Sequence, residues 1–355
     1  MIIDKSILLK YTLITSLVLV ILILPQAIIR PFVLSFIAIL ISWVIYIIST
    51  FKIKKMDFSI IILFILLSLN IFIFQPSSII LFLYSITLLI LTQLNTIKNN
   101  EINKFYILFL LLLVVISFLY QFNSYTHSSG RHVLSVIDPN SSGIYVMLFF
   151  MLSHKYNFKI GILFSFFAAS LLMSRNLILG MLIFYSIKYL KNIRFFKFFI
   201  TPFNLIFIGN LFVLLLSIVW VTHFTLSTVN NESRASLNDR SNYERFLSDI
   251  TWTDKLISND DLYSTIEIDE EHTVPPHNSL IRLLCDNGIV PGFLYLLFLS
   301  LILRKYTINN EEYLAMYMFY SYFLHGLYSS VSLILFFIIL HIENSGNKTE
   351  KRNWK

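Results

Sequence analysis

The residues of this chain that could do chemistry are a histidine placed ahead of a short amphipathic stretch and a set of arginines in the connections between long apolar runs. The densest segment reads His277-Asn278-Ser279-Leu280-Ile281-Arg282-Leu283-Leu284-Cys285-Asp286-Asn287-Gly288-Ile289-Val290-Pro291-Gly292. Pro275-Pro276 stiffens the approach to it, Asn278 or Ser279 can cap a helix, and Gly288 can end one. Leu280, Ile281, Leu283 and Leu284 make an apolar side, with Arg282 and Asp286 polar. Such a helix would lie at a membrane surface and hold His277 at the boundary with water. An imidazole can take a proton from a hydroxyl, and a nearby helix N-terminus favours the neutral ring that a base requires. Arginine forks bind phosphate oxygens in bidentate fashion, and helix N-termini add backbone donors. With Arg131, Arg175, Arg240 and Arg282 as candidate anion ligands, the chemistry suggested is group transfer from a polyprenyl diphosphate to an alcohol. His277 would deprotonate the attacking hydroxyl while arginine stabilises the departing diphosphate.

The elements that must position these groups are apolar. The chain has 355 residues, 57% of them hydrophobic and 13% charged, with mean hydropathy +0.75. A soluble domain carries roughly a quarter charged residues, so the composition points to an all-α polytopic membrane protein. Runs of spanning or near-spanning length occur at about 11–29, 31–51, 58–74, 77–95, 105–122, 141–153, 160–173, 176–190, 203–221, 288–303, 312–325 and 327–342. These predict about 12 transmembrane helices, or ten to twelve because several runs are short. The organisation expected is N-terminal transmembrane helices over 1–221, an extracytoplasmic loop over 222–279, C-terminal transmembrane helices over 280–342 and a cytoplasmic tail over 343–355. Residues 1–30 lack a small-residue cleavage site and read as a first span rather than a signal peptide.

Charge fixes the orientation. Taking connections alternately, nineteen of the 27 Lys and Arg fall on one side, grouped at Lys5 to Lys10, Lys52 to Lys55, Lys98 to Lys104, Lys155 to Lys159, Lys188 to Lys197, Arg304 to Lys305 and Lys348 to Lys355. The other short connections hold only Arg30, Arg131 and Arg175, and the long segment after residue 221 holds Arg234, Arg240, Arg245, Lys255 and Arg282. By the positive-inside rule both termini are cytoplasmic and the long loop faces outward. The net charge of +7 therefore reports membrane topology and not nucleic-acid binding. The single cysteine, Cys285, excludes an internal disulfide and a cysteine-based metal cage. Pro275 and Pro276 rule out a helical pair of ligands from His272 and His277, and no metal or other cofactor is expected.

Each candidate has a plainer reading beside the chemical one. His277 could simply cap a loop. Arg240 could pair with Asp239 or Glu244 in solvent, which is worth little. Arg175 stands between two apolar runs, where an arginine is costly unless it has a partner or reaches the interface. Arg131 shares a shorter outward loop with His127, His132 and Asp138. Arg282 could reach the same anion as His277 or pair with Asp286 four residues on. His325 reads as a satisfied buried histidine, Asp138 as a helix cap.

His277-Asn278-Ser279-Leu280, followed by Asn287-Gly288-Ile289, resembles the histidine motif of the O-antigen polymerase/ligase family. Asn238-Asp239-Arg240-Ser241-Asn242-Tyr243 is similar to that family's loop motif, with Asp239 where a glycine is usual and Tyr243 where a tryptophan is usual. Asp138-Pro139-Asn140 and Ser174-Arg175, each opening a span, are similar to two further features. The resemblance in layout runs from about residue 120 to 340. The Gly-rich segment that often follows the loop arginine is missing, which leaves the register between Ile250 and Val274 open. The resemblance implies a GT-C-like membrane glycosyltransferase, metal-independent and inverting, acting on undecaprenyl-diphosphate-linked glycan at the outer face of the bacterial cytoplasmic membrane. A polysaccharide polymerase is the reading favoured, with a flippase and a chain-length regulator of the same pathway as partners. A ligase that moves finished glycan to another acceptor shares the motifs. A flippase for lipid-linked oligosaccharide is the alternative from another class, against which stand the absence of an internal repeat and of ionisable residues in runs such as 58–74 and 105–122.

Overall fold

The computed structural model describes residues 56–74, 79–92, 139–209, 266–269, 272–274, 283, 287–322 and 331–341. Their elements in chain order are α1 (Phe58–Phe74), α2 (Ile79–Thr92), α3 (Pro139–Lys155), α4 (Lys159–Leu171), α5 (Arg175–Leu190), α6 (Arg194–Lys197), β1 (Ile266–Asp269), β2 (His272–Val274), α7 (Ile289–Tyr306), α8 (Glu311–Tyr322) and α9 (Val331–His341). The described part is thus almost wholly helical, and apart from the four-residue α6 its helices coincide with the apolar runs that the sequence marks out. The exception is the short β1–β2 hairpin, which falls in the segment whose register the sequence leaves open. Of the expected spans, α7 is long and apolar enough by itself to cross a membrane, and α1, α2, α3 and α4 contribute shorter apolar helices. The runs at 11–29, 31–51 and 105–122 lie outside the described residues.

Two compact units divide the chain, with the boundary passing through α2 and α5. In the first, α3 and α4 form a helical hairpin and α9 packs on α3. Asn157 ends α3 in the left-handed region at φ 53. The Phe158 N–H donates to the Ser153 carbonyl at 2.8 Å and the Asn157 N–H to that of His154 at 3.1 Å, the pair of bonds that closes a helix in a Schellman motif. The returning helix α4 buries Gly161, Ser165, Ala168 and Ala169 and exposes Ile160, Leu163 and Phe167. That is the reverse of a water-soluble helix. Small residues let two backbones approach, and large apolar ones face outward, as in helices packed within lipid. A Cβ at Gly161 would run into Ser153 Oγ and the ring of Phe158. Gly161→Val is therefore expected to cost about 1–3 kcal/mol of stability by overpacking, read as a lower thermal midpoint of the purified protein, whereas Ile160→Val on the outward face should leave it unchanged.

In the second unit α7 packs along α1. Leu67 and Ile71 of α1 and Phe298, Leu299 and Ile302 of α7 are buried. Phe64 on α1 joins three helices, with its ring 5.8 Å from that of Phe82 on α2 and 6.1 Å from that of Phe298. The rest of α1 is apolar too: Ile61, Ile65, Leu69 and Phe72 are exposed, and the helix carries no acidic or basic residue. A helix apolar on every side belongs in a core or in a membrane, and among the described residues only one side of α1 is covered. Phe184 of α5 meets Tyr313 of α8 edge-on at 5.0 Å.

Candidate functional site

The described part of the histidine motif is its far end. Leu283 and Asn287 are helical and buried, so Leu283 lies on a covered side as the apolar pattern requires. Asn287 Nδ2 donates to the Leu283 carbonyl at 3.0 Å, one turn back. Gly288 then breaks the path with φ 78 and ψ 165, a region that residues with a Cβ essentially do not occupy. The chain restarts at once as α7. The Asn287-Gly288-Ile289 pattern is therefore a joint between two helical segments, with the amide holding the first and the glycine making the corner. Gly288→Ala is expected to cost about 1–3 kcal/mol from backbone strain, measured as a lower thermal midpoint.

Arg175 is the first residue of α5, and it is exposed. A second Schellman closure brings it there. Met173, at the end of the α4 turn, takes φ 46. Its N–H donates to the Ser170 carbonyl at 3.1 Å and the Ser174 N–H to that of Ala169 at 3.4 Å. A non-glycine residue in the left-handed region is strained, and here it allows α5 to begin directly after α4. Arg175 thus stands exposed in the first turn of a helix whose Leu177 and Ile178 N–H groups are bonded to the Ser174 carbonyl, where the macrodipole favours an anion.

The hairpin precedes His277 in the chain. β1 and β2 pair antiparallel, with Ile266 opposite Val274, Glu267 opposite Thr273 and Asp269 opposite His272, and an irregularity between Glu267 and Asp269. His272 is in a strand, not on a helix with His277. β2 ends at Val274, after which Pro275 and Pro276 allow little freedom before His277. The sequence signal for this hairpin is the Ile-Glu-Ile-Asp alternation over 266–269 and the β-branched Thr273-Val274, which were masked by the acidic character of the stretch.

The opposite end of the second unit is held by ion pairs. Lys191 Nζ, just beyond α5, lies 2.6 Å from Glu312 Oε2 and 3.9 Å from Glu311 Oε2 at the start of α8. Lys305 Nζ, near the end of α7, lies 3.1 Å from Asp57 Oδ2, just before α1. Acids stand at helix N-termini and bases at C-termini, so each pair also complements the helix dipoles. The turn between α7 and α8 is closed by Thr307 Oγ1 donating to the Leu303 carbonyl at 2.6 Å and by the Asn309 N–H donating to Glu311 Oε1 at 2.9 Å. Gly288 stands at the other end of the 18-residue α7, about 27 Å from this cluster at 1.5 Å per residue.

Of the site residues read from the sequence, Arg175 is described. His277, Arg240, Arg131 and Arg282 lie outside the described residues. Comparison with protein-family models, with curated proteins and with solved structures finds no match.

Proposed function

We propose that this chain is a polysaccharide polymerase of the bacterial cytoplasmic membrane, with about 12 spans, both termini in the cytoplasm and the 222–279 loop outside. It would extend glycan carried on undecaprenyl diphosphate. The observation that carries the reading is that Asn287-Gly288, the described end of the histidine motif, leads directly into α7 at the end of that helix away from the ion pairs. Lys191 with Glu311 and Glu312, and Lys305 with Asp57, join connections that the positive-inside count assigns independently to the cytoplasmic side. The same count assigns Gly288, and with it His277, to the outer side. The small-in, large-out packing of α4 and the all-round apolarity of α1 support a lipid surround.

In the proposed reaction the acceptor is a sugar hydroxyl on a lipid-linked repeat unit. Its oxygen attacks the anomeric carbon of the donor chain as the bond to diphosphate breaks. His277 takes the hydroxyl proton, and the lipid diphosphate leaves with the bonding electrons. Arg240, Arg175, Arg131 and Arg282 are the proposed ligands of that anion, which gains charge as the bond breaks and so is held more tightly in the transition state than in the ground state. The test is the size profile of surface and lipid-linked glycan in cells with and without the protein. A polymerase leaves single repeat units when removed. Long lipid-linked chains that never reach their final acceptor would indicate a ligase, and precursor held on the cytoplasmic leaflet a flippase.

A further inference from the structure

Between α5 and the helical residues 202–209, the chain makes the turn of α6 and exposes eight consecutive residues, 192–199. None of α6 is buried. The sequence there is Ile193-Arg194-Phe195-Phe196-Lys197-Phe198-Phe199, and four phenylalanines on an exposed connection would be costly in water. The segment is nevertheless firmly built. The Phe195 ring lies 5.5 Å from that of Phe199, and the Phe198 ring 5.6 Å from it. Thr201 Oγ1 accepts the Asn204 N–H at 3.2 Å, an N-cap with Pro202 in the first helical position. Asn204 Nδ2 donates to the carbonyls of Phe198 and Phe199, at 3.4 and 3.1 Å. A fixed aromatic cluster is thus presented outward with Arg194 and Lys197 among its rings, and neither cation has an ion pair among the described residues. On the adjoining helix end, Arg304 lies over the ring of Phe203 at 5.8 Å, which extends the positive charge.

We infer that residues 192–199 are an interfacial anchor that binds anionic phospholipid, with the phenylalanines entering the acyl boundary and Arg194 and Lys197 contacting headgroup phosphates. Charge complementarity selects this occupant. Phenylalanine alone would enter any bilayer, but cations interleaved with it at the headgroup level favour anionic lipid. The segment lies in the basic connection Lys188 to Lys197, so the leaflet engaged is the cytoplasmic one. This inference rests on the membrane reading above but not on the glycosyltransferase reading.

The test uses the full-length protein purified in detergent, titrated with phosphatidylglycerol or phosphatidylcholine, with bound lipid counted by native mass spectrometry. The wild type is expected to retain phosphatidylglycerol selectively. Arg194→Gln with Lys197→Gln is expected to weaken that binding about thirty-fold, from roughly 1 kcal/mol for each basic residue near the surface. The charge-preserving Arg194→Lys with Lys197→Arg should bind as the wild type does. Both positions are exposed, so the folded protein is expected in each case. Equal phosphatidylglycerol retention by the wild type and the Gln double variant overturns the anchor. Release of the protein from membranes by alkaline carbonate overturns the membrane reading beneath it, and the anchor with it.

Discussion

Replacing His277 with alanine is expected to abolish chain extension while leaving the protein in the membrane at its normal level. General-base catalysis contributes about 10²–10⁴-fold to a rate. A loss of that size takes a glycan ladder down to single repeat units within the time cells have to build it. In the proposed reaction His277→Ala removes only the group that accepts the hydroxyl proton, so thermal stability should be unchanged. Arg240→Ala should also shorten the ladder, and Arg240→Lys should recover only part of the loss, because lysine is a point charge and lacks the planar fork that meets two phosphate oxygens. The measurement is the size distribution of lipid-linked glycan, with the amount of protein in the membrane determined alongside. An intact ladder in His277→Ala cells would remove the catalytic assignment.

Lys191→Met is expected to destabilise the second unit by about 2–4 kcal/mol, somewhat below the cost of breaking a fully buried pair. The Glu312 side chain is 5% exposed and that of Lys191 27%. Removing the lysine strands a carboxylate away from water, with Glu311 close by to repel it. Glu312→Leu should cost less, since Lys191 can turn towards solvent and towards Glu311. Combining the two substitutions should restore most of the stability lost in Lys191→Met, because no unpaired buried charge is left. Unfolding of the four proteins in detergent gives the cycle. If the single and double variants were simply additive, Lys191 and Glu312 would not hold α5 to α8.

Much of the helix pattern is legible from the sequence because its helices are long apolar runs. The run at 58–74 is α1 to the residue, and that at 176–190 misses α5 only by its first residue, Arg175. Errors arise where polar contacts set the ends. α3 begins at Pro139 because proline suits the first helical turn. α7 runs past Arg304 and Lys305 to Tyr306, because Lys305 has Asp57 to meet and Arg304 has the ring of Phe203. The charge count puts Lys191 and Glu312 on one side of the membrane, but their contact depends on how α5 and α8 pack, which one-dimensional patterning does not carry. The hairpin at 266–274 is too short for its alternation to stand out from a run of acids. For the site, Gly288 as a helix breaker was readable from residue type and Ser174-Arg175 at the opening of a span from the family resemblance, whereas the strained turn at Met173 that delivers Arg175 has no glycine or asparagine to mark it.

The most direct test of the central proposal is made outside the cell. The purified chain in phosphatidylglycerol-containing nanodiscs is given an undecaprenyl-diphosphate-linked repeat unit as donor and acceptor, and chain length and free undecaprenyl diphosphate are followed together. Products of two or more repeats, with one diphosphate lipid released for every link formed and neither produced by His277→Ala, are the expected result. A donor left unextended by folded wild-type protein, at a level where every other component is shown to be competent, would contradict the assignment of this chain as a polymerase.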